Sequence, residues 1–258
     1  MLFAVLTILG GIANTQVPSQ DACQLVNATE PPQCPDTIGP PCPPCIINES
    51  PNYVNGDSLV LNGNDISNIK YYIDTYVNYW LDNYPPSKVT KPEQDPTSIV
   101  EGFAGRALMF LRLYNNTNNA SYLTLANEYI ASALARMDRA PKTPSYFVGL
   151  TGVYVVAAQI EKIQGKPYQT YLDEVNKIYD DAVTAINNGD STSPTYGFDM
   201  FDGNVMTGLS GLLYSGMLVN KYFGGNIVPT QQITILAHYI IEMGLQTAAP
   251  YNDDYLIY

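Results

Sequence analysis

Basic side chains are scarce: the 258 residues hold 12 Lys and Arg against 24 Asp and Glu, a balance of 12 − 24 = −12. A polyanion of this kind repels phosphate backbones and anionic headgroups, which argues against nucleic-acid binding and against attraction to an acidic membrane surface. Charge of either sign is thin, at 14%, where about a quarter is usual for a globular domain. Because 46% of the residues are hydrophobic, the chain is a folded, weakly charged protein rather than a disordered acidic tail. Histidine and tryptophan each occur once, and no cysteine follows Cys45. What is plentiful is tyrosine, 21 against 7 phenylalanines, which supplies aromatic surface with a polar end.

The apolar opening Met1 to Ala13 is followed by Asn14, Thr15 and Gln16. It is too short to span a bilayer and reads as the h-region of a secretory signal peptide, here residues 1–16. Four Asn-x-Ser/Thr sequons, at Asn27, Asn48, Asn115 and Asn119, are glycan acceptors in that pathway. Residues 17–60 form a second segment, in which Cys23, Cys34, Cys42 and Cys45 lie among eight prolines between positions 31 and 51. No helix survives such a density of proline. An even cysteine count behind a leader predicts two disulfides, with three connectivities open, ahead of a zinc site or a redox Cys42-Pro-Pro-Cys45 pair. A redox pair would need a strand and a helix start that this context does not provide.

Residues 61–258 read as helices. From Asp65 to Tyr84 the apolar positions Ile66, Ile69, Ile73, Tyr76, Val77, Trp80 and Leu81 make one helical stripe, ended by Pro85 and Pro86. One pattern then appears three times: a Gly-x-x-Gly, a nearly all-apolar run, a short polar break and an amphipathic run. The copies open at Gly102-Phe-Ala-Gly105, Gly149-Leu-Thr-Gly152 and Gly208-Leu-Ser-Gly211. They break at Asn115 to Ala120, around Gly165 and at Gly224-Gly225, and restart at Tyr122, at Pro167 as a first helical turn, and after Pro229. From the second glycine to Tyr122, Tyr168 and Pro229 the offsets are 122 − 105 = 17, 168 − 152 = 16 and 229 − 211 = 18. A helix apolar all round is buried and one with a single stripe lies outside, so each copy predicts an inner and an outer helix in two concentric layers.

Three of these segments, Gly102-Phe-Ala-Gly-Arg-Ala-Leu, Phe147-Val-Gly-Leu-Thr-Gly-Val and Gly208-Leu-Ser-Gly-Leu-Leu-Tyr, resemble the first three repeats of the lanthionine synthetase C-like (LanC-like) family. Lys221-Tyr-Phe-Gly-Gly-Asn-Ile-Val-Pro is similar to the third-repeat turn of its eukaryotic members. The resemblance covers Asp65 to Gly244. It implies an all-α fold, an (α/α) toroid of helical hairpins with about three of the family's seven repeats in this chain. It also implies a zinc-dependent addition of a thiol, from a peptide cysteine or glutathione, to dehydroamino acids, with zinc held by a Cys and an adjacent Cys-His pair of later repeats. No zinc ligand is therefore expected in this chain, and His238, on the polar side of the third outer run, reads as a solvated surface residue.

Bacterial cyclases place an acidic residue ahead of the third Gly-x-x-Gly, and here Asp202 and Asn204 stand in that segment. Both are the candidate catalytic residues; an amide cannot exchange a proton near neutral pH, and a loop carboxylate also caps helices. Stacked repeats bury each hairpin against the next, so three alone leave an apolar edge, which predicts further hairpins or a partner chain to cover it. Two other readings stay open. One is a non-catalytic secreted binding module, and the other an (α/α)-barrel carbohydrate-active enzyme for which Glu101 and Asp202 are the only carboxylates at the inner helix starts.

Overall fold

The computed structural model describes residues 63–87 and 97–249, and every regular element among them is helical. The leader, the four cysteines and the sequons at Asn27 and Asn48 lie outside the described residues. The helices are α1 (Gly63–Asn83), α2 (Phe103–Thr117), α3 (Ala120–Leu134), α4 (Leu150–Ile163), α5 (Gln169–Asn188), α6 (Leu209–Phe223) and α7 (Thr230–Ala248), with a 3-10 turn at Met137–Arg139. The chain divides into two compact units, Met1–Asn78 and Tyr79–Tyr258, and α1 runs from one into the other. In the first unit the stripe of α1 is not buried: Ile66, Ile69 and Tyr76 are exposed and only Val77 is covered.

In the second unit the all-α hairpin pattern is present as expected. Helices α2 and α3, α4 and α5, and α6 and α7 pack as pairs, while α2 with α4 and α4 with α6 pack side by side. Helix α5 also packs on α7, and α3 leans on α4. The inner layer is thus α2, α4, α6 in succession, and α3, α5, α7 back it. The middle inner helix is covered on almost all sides: from Leu150 to Ile160 only Tyr154 is not fully buried. The outer α5 buries one stripe, Leu172, Val175, Ile178, Tyr179, Ala182 and Ala185, at the i, i+3, i+7 spacing of an amphipathic helix. Each large aliphatic side chain of that stripe contributes about 1.5–3 kcal/mol on burial.

Two boundaries differ from the sequence-based expectation. The break in the first copy is only two residues long, because Asn115 and Asn116 continue α2. The Asn116 Nδ2 donates to Arg112 O (2.8 Å), the Thr117 hydroxyl donates to Leu113 O (2.7 Å) and Asn118, left-handed at φ 54, ends the helix. Pro167 lies ahead of α5 rather than in its first turn, since Tyr168 is the N-cap. Apart from those of α1, the large exposed apolar side chains of the described residues lie on the last hairpin and the loop before it: Phe201, Val205, Tyr214, Met217, Ile241 and Leu245.

Candidate functional site

The three Gly-x-x-Gly sequences build one collar at the inner helix starts. In every copy the first glycine, Gly102, Gly149 or Gly208, is the N-cap, in extended conformation and with no side chain capping the helix. The second, Gly105, Gly152 or Gly211, lies in the first helical turn. A Cβ on Gly105 would overlap Ile99 O, on Gly152 Tyr146 O, and on Gly211 Val205 O. All three carbonyls lie six residues upstream, and at Gly211 the Ser145 hydroxyl of the second copy is nearer still, so the chain folds back over the helix start at a distance that only glycine permits. Similarly, a Cβ on Gly149 would overlap Thr143 O and one on Gly208 would overlap Asp202 O.

A polar residue four positions before each first glycine organises this fold-back. Gly102, Gly149 and Gly208 donate their N–H groups to Ser98 O (3.1 Å), Ser145 O (3.1 Å) and Asn204 O (2.8 Å). The side chains at the same positions accept from the loop: Ser98 Oγ from Glu101 N (3.2 Å), Ser145 Oγ from Phe147 N (3.0 Å) and Asn204 Oδ1 from Met206 N (2.6 Å). Residues 98, 145 and 204 are therefore one turn-forming position in three copies. The signal is visible in the sequence as Ser, Ser and Asn at a constant distance before the glycine.

Copies are also zipped to one another here. Ile99 N and Val100 N donate to Phe147 O (3.0 and 3.3 Å), and Tyr146 N donates to Gly211 O (3.2 Å). Ser145 Oγ adds a bond to Val205 O (2.9 Å). Val205 holds the position of Ile99 and Tyr146 in the third copy and is exposed, with no such bond among the described residues.

The structure brings both candidate catalytic residues into this third loop. The Asp202 carboxylate accepts from Asn204 N (2.9 Å) and from the Thr207 hydroxyl (2.6 Å), while Leu209 N donates to Asp202 O (2.8 Å). Asp202 is half-buried and Asn204 exposed. Glu101 stands exposed in the first loop, where its carbonyl accepts from the Arg106 guanidinium (3.2 Å). Beside the collar, Phe147 stacks on Tyr214 with ring centres 5.4 Å apart, and Tyr146 meets both rings edge-on at 5.3 Å. Burial pushes the Tyr146 phenol up, the Tyr214 phenol adds to this and Arg112 opposes it. It stays neutral, and Tyr214 is the exposed face of the cluster.

Two buried anchors behind the collar escape sequence reading. Tyr179 of α5 donates its hydroxyl to Leu212 O (2.5 Å) and accepts from Gly216 N (3.1 Å), tying an outer helix to the next inner one. The buried Asp181 carboxylate accepts from Thr195 N (2.9 Å) and Tyr196 N (3.2 Å), which holds the segment leading to the third collar loop. No group of three or more His, Cys, Asp or Glu among the described residues is placed to hold a metal. His238 is exposed on α7, and no helix is long and apolar enough to cross a membrane among the described residues. Residues 93–256, more than half of the chain and including all three copies, match the family model of lanthionine synthetase C-like proteins.

Proposed function

The chain belongs to the lanthionine synthetase C-like family, and from that premise we propose that it serves peptide modification, the addition of a thiol to a dehydroamino acid. The observation that carries this reading is the glycine collar, repeated three times in register inside the matched residues. In the reaction a thiolate sulfur bonds to the β-carbon of the dehydroamino acid. The π pair moves to the α-carbon as an enolate, which then takes the proton that the thiol gave up, so no atom is lost. The thiol donor is a peptide cysteine or a glutathione-like molecule.

Members of the family generally bind zinc, and a bound zinc supplies a thiolate at neutral pH. The described residues do not fit that ion, lacking a donor group of three, and no step is assigned to it on them. Their part is to hold and to present. Asp202 and Asn204 fix the third loop through its own N–H groups, and the exposed Tyr214 ring, backed by Phe147, offers a peptide an apolar and aromatic contact. The leader Met1 to Ala13 supports work in the secretory pathway.

A second reading is a secreted binding module without the metal, for which the exposed Tyr214 ring beside the collar offers the contact face. One experiment separates the two: the full chain, with zinc, glutathione and a dehydroalanine peptide, followed by intact mass of the peptide. Faster appearance of the glutathione adduct than without protein supports the enzyme. Peptide binding without acceleration supports the module, and the absence of both overturns the proposal.

A further inference from the structure

We infer that Asn119 carries an N-linked glycan, on the turn between α2 and α3. The motif Asn119-Ala120-Ser121 has the acceptor amide and the +2 hydroxyl that transfer requires, and Asn119 and Ser121 are both exposed. The geometry divides the amide between two tasks. Its Oδ1 accepts the Ser121 N–H (3.0 Å) as the N-cap of α3, whereas its Nδ2 has no hydrogen-bond partner among the described residues. A glycan is attached through Nδ2 alone, so the cap and the sugar coexist.

The neighbouring sequon is arranged differently. Asn115 lies inside α2, and the hydroxyl of its Thr117 is tied back to Leu113 O (2.7 Å). Both asparagines are exposed, and Asn119 is the one whose amide stands at a helix start rather than inside a helix. Position also matters: α2 starts at the collar and ends at Thr117, and fifteen residues at 1.5 Å each put the turn about 20 Å from the glycines. A sugar there shields a weakly charged surface and leaves the collar open. The donor is a polyprenyl-diphosphate oligosaccharide: a bond forms from Nδ2 to the sugar C1, the C1 to phosphate-oxygen bond breaks, Nδ2 loses a proton and the lipid diphosphate departs.

The test is secretion of the full chain, with its own first residues, from a eukaryotic host. Enzymatic release of N-glycans in heavy-oxygen water converts each glycosylated Asn to labelled Asp, which peptide mass spectrometry locates. Label on Asn119 is the expected result. Ser121→Ala removes the sequon but not the cap, which uses only the Ser121 backbone, and should lose that label and one glycan of gel mobility. Asn119→Asp, which keeps the capping oxygen, should do the same if the first variant folds poorly. A chain unlabelled at Asn119, whether bare or labelled only at Asn115, overturns the inference. The thiol-addition reading is untouched by that outcome, because it rests on the collar.

Discussion

Gly152→Ala is the sharpest perturbation of the collar, because this residue is central to it and its obstacle is rigid. A methyl group there would overlap Tyr146 O, and also the Ile99 side chain at 2.8 Å. The carbonyl cannot retreat freely, since Tyr146 N is bonded to Gly211 O of the third copy and the adjacent Phe147 O accepts from Ile99 N of the first. Overpacking a rigid site costs about 1–3 kcal/mol, and the full contact with backbone places this substitution near 3. Alanine returns about 1 kcal/mol as a better helix former. The net loss is about 2 kcal/mol, which for a domain of this size lowers Tm by about 4–8 °C. Thermal unfolding followed by circular dichroism measures it, with Gly165→Ala as the comparison, where no atom lies within 4 Å and only the positive φ of 69 opposes the change. A Gly152→Ala protein at least as stable as the parent would refute the collar as a steric seat.

Further outcomes follow from the buried polar groups. Tyr179→Phe removes a hydroxyl that serves both Leu212 O and Gly216 N, and should cost about 1 kcal/mol in chemical denaturation, the worth of one buried hydrogen bond, since both backbone groups keep helical partners. Arg106 lies 4.9–5.2 Å over the rings of Trp80, Tyr84 and Phe103, so Arg106→Met should lose about 1 kcal/mol and alter the emission of Trp80, the single tryptophan. Burial raises Tyr129 and Tyr196 to about 12 from an unfolded value near 10. Ionisation therefore favours the unfolded chain: the stability from these groups is whole below pH 10 and is lost as pH rises from 10 towards 12. An alkaline titration should show Tyr129 and Tyr196 ionising only towards pH 12, together with loss of helix. Simultaneous ionisation of all tyrosines with helix intact would contradict it.

How much of this can be read from residues alone depends on the range of the forces. The glycine pairs are legible because a steric need leaves no other residue type, and inner and outer helices are legible because α4 is apolar all round while α5 has one stripe. The turn-forming position at Ser98, Ser145 and Asn204 is legible only once the copies are aligned, since three different contexts hide one job. By contrast, the helical state of Asn115 and Asn116 rests on side chains bonding back to carbonyls one turn earlier, a local competition that composition does not decide. The Tyr179 bond to Leu212 spans two helices and the stripe of α1 depends on what surrounds it, so neither has a signature in its own segment.

The central structural claim is that hydrogen bonds at the collar join the three copies into one run. Amide hydrogen exchange of the full chain, resolved residue by residue, tests it most directly. Tyr146 N and Ile99 N, which donate to the following copy, should exchange only through large-scale unfolding, whereas the equivalent Val205 N should exchange close to the rate of an open chain. Tyr146 exchanging as fast as Val205 would contradict the account.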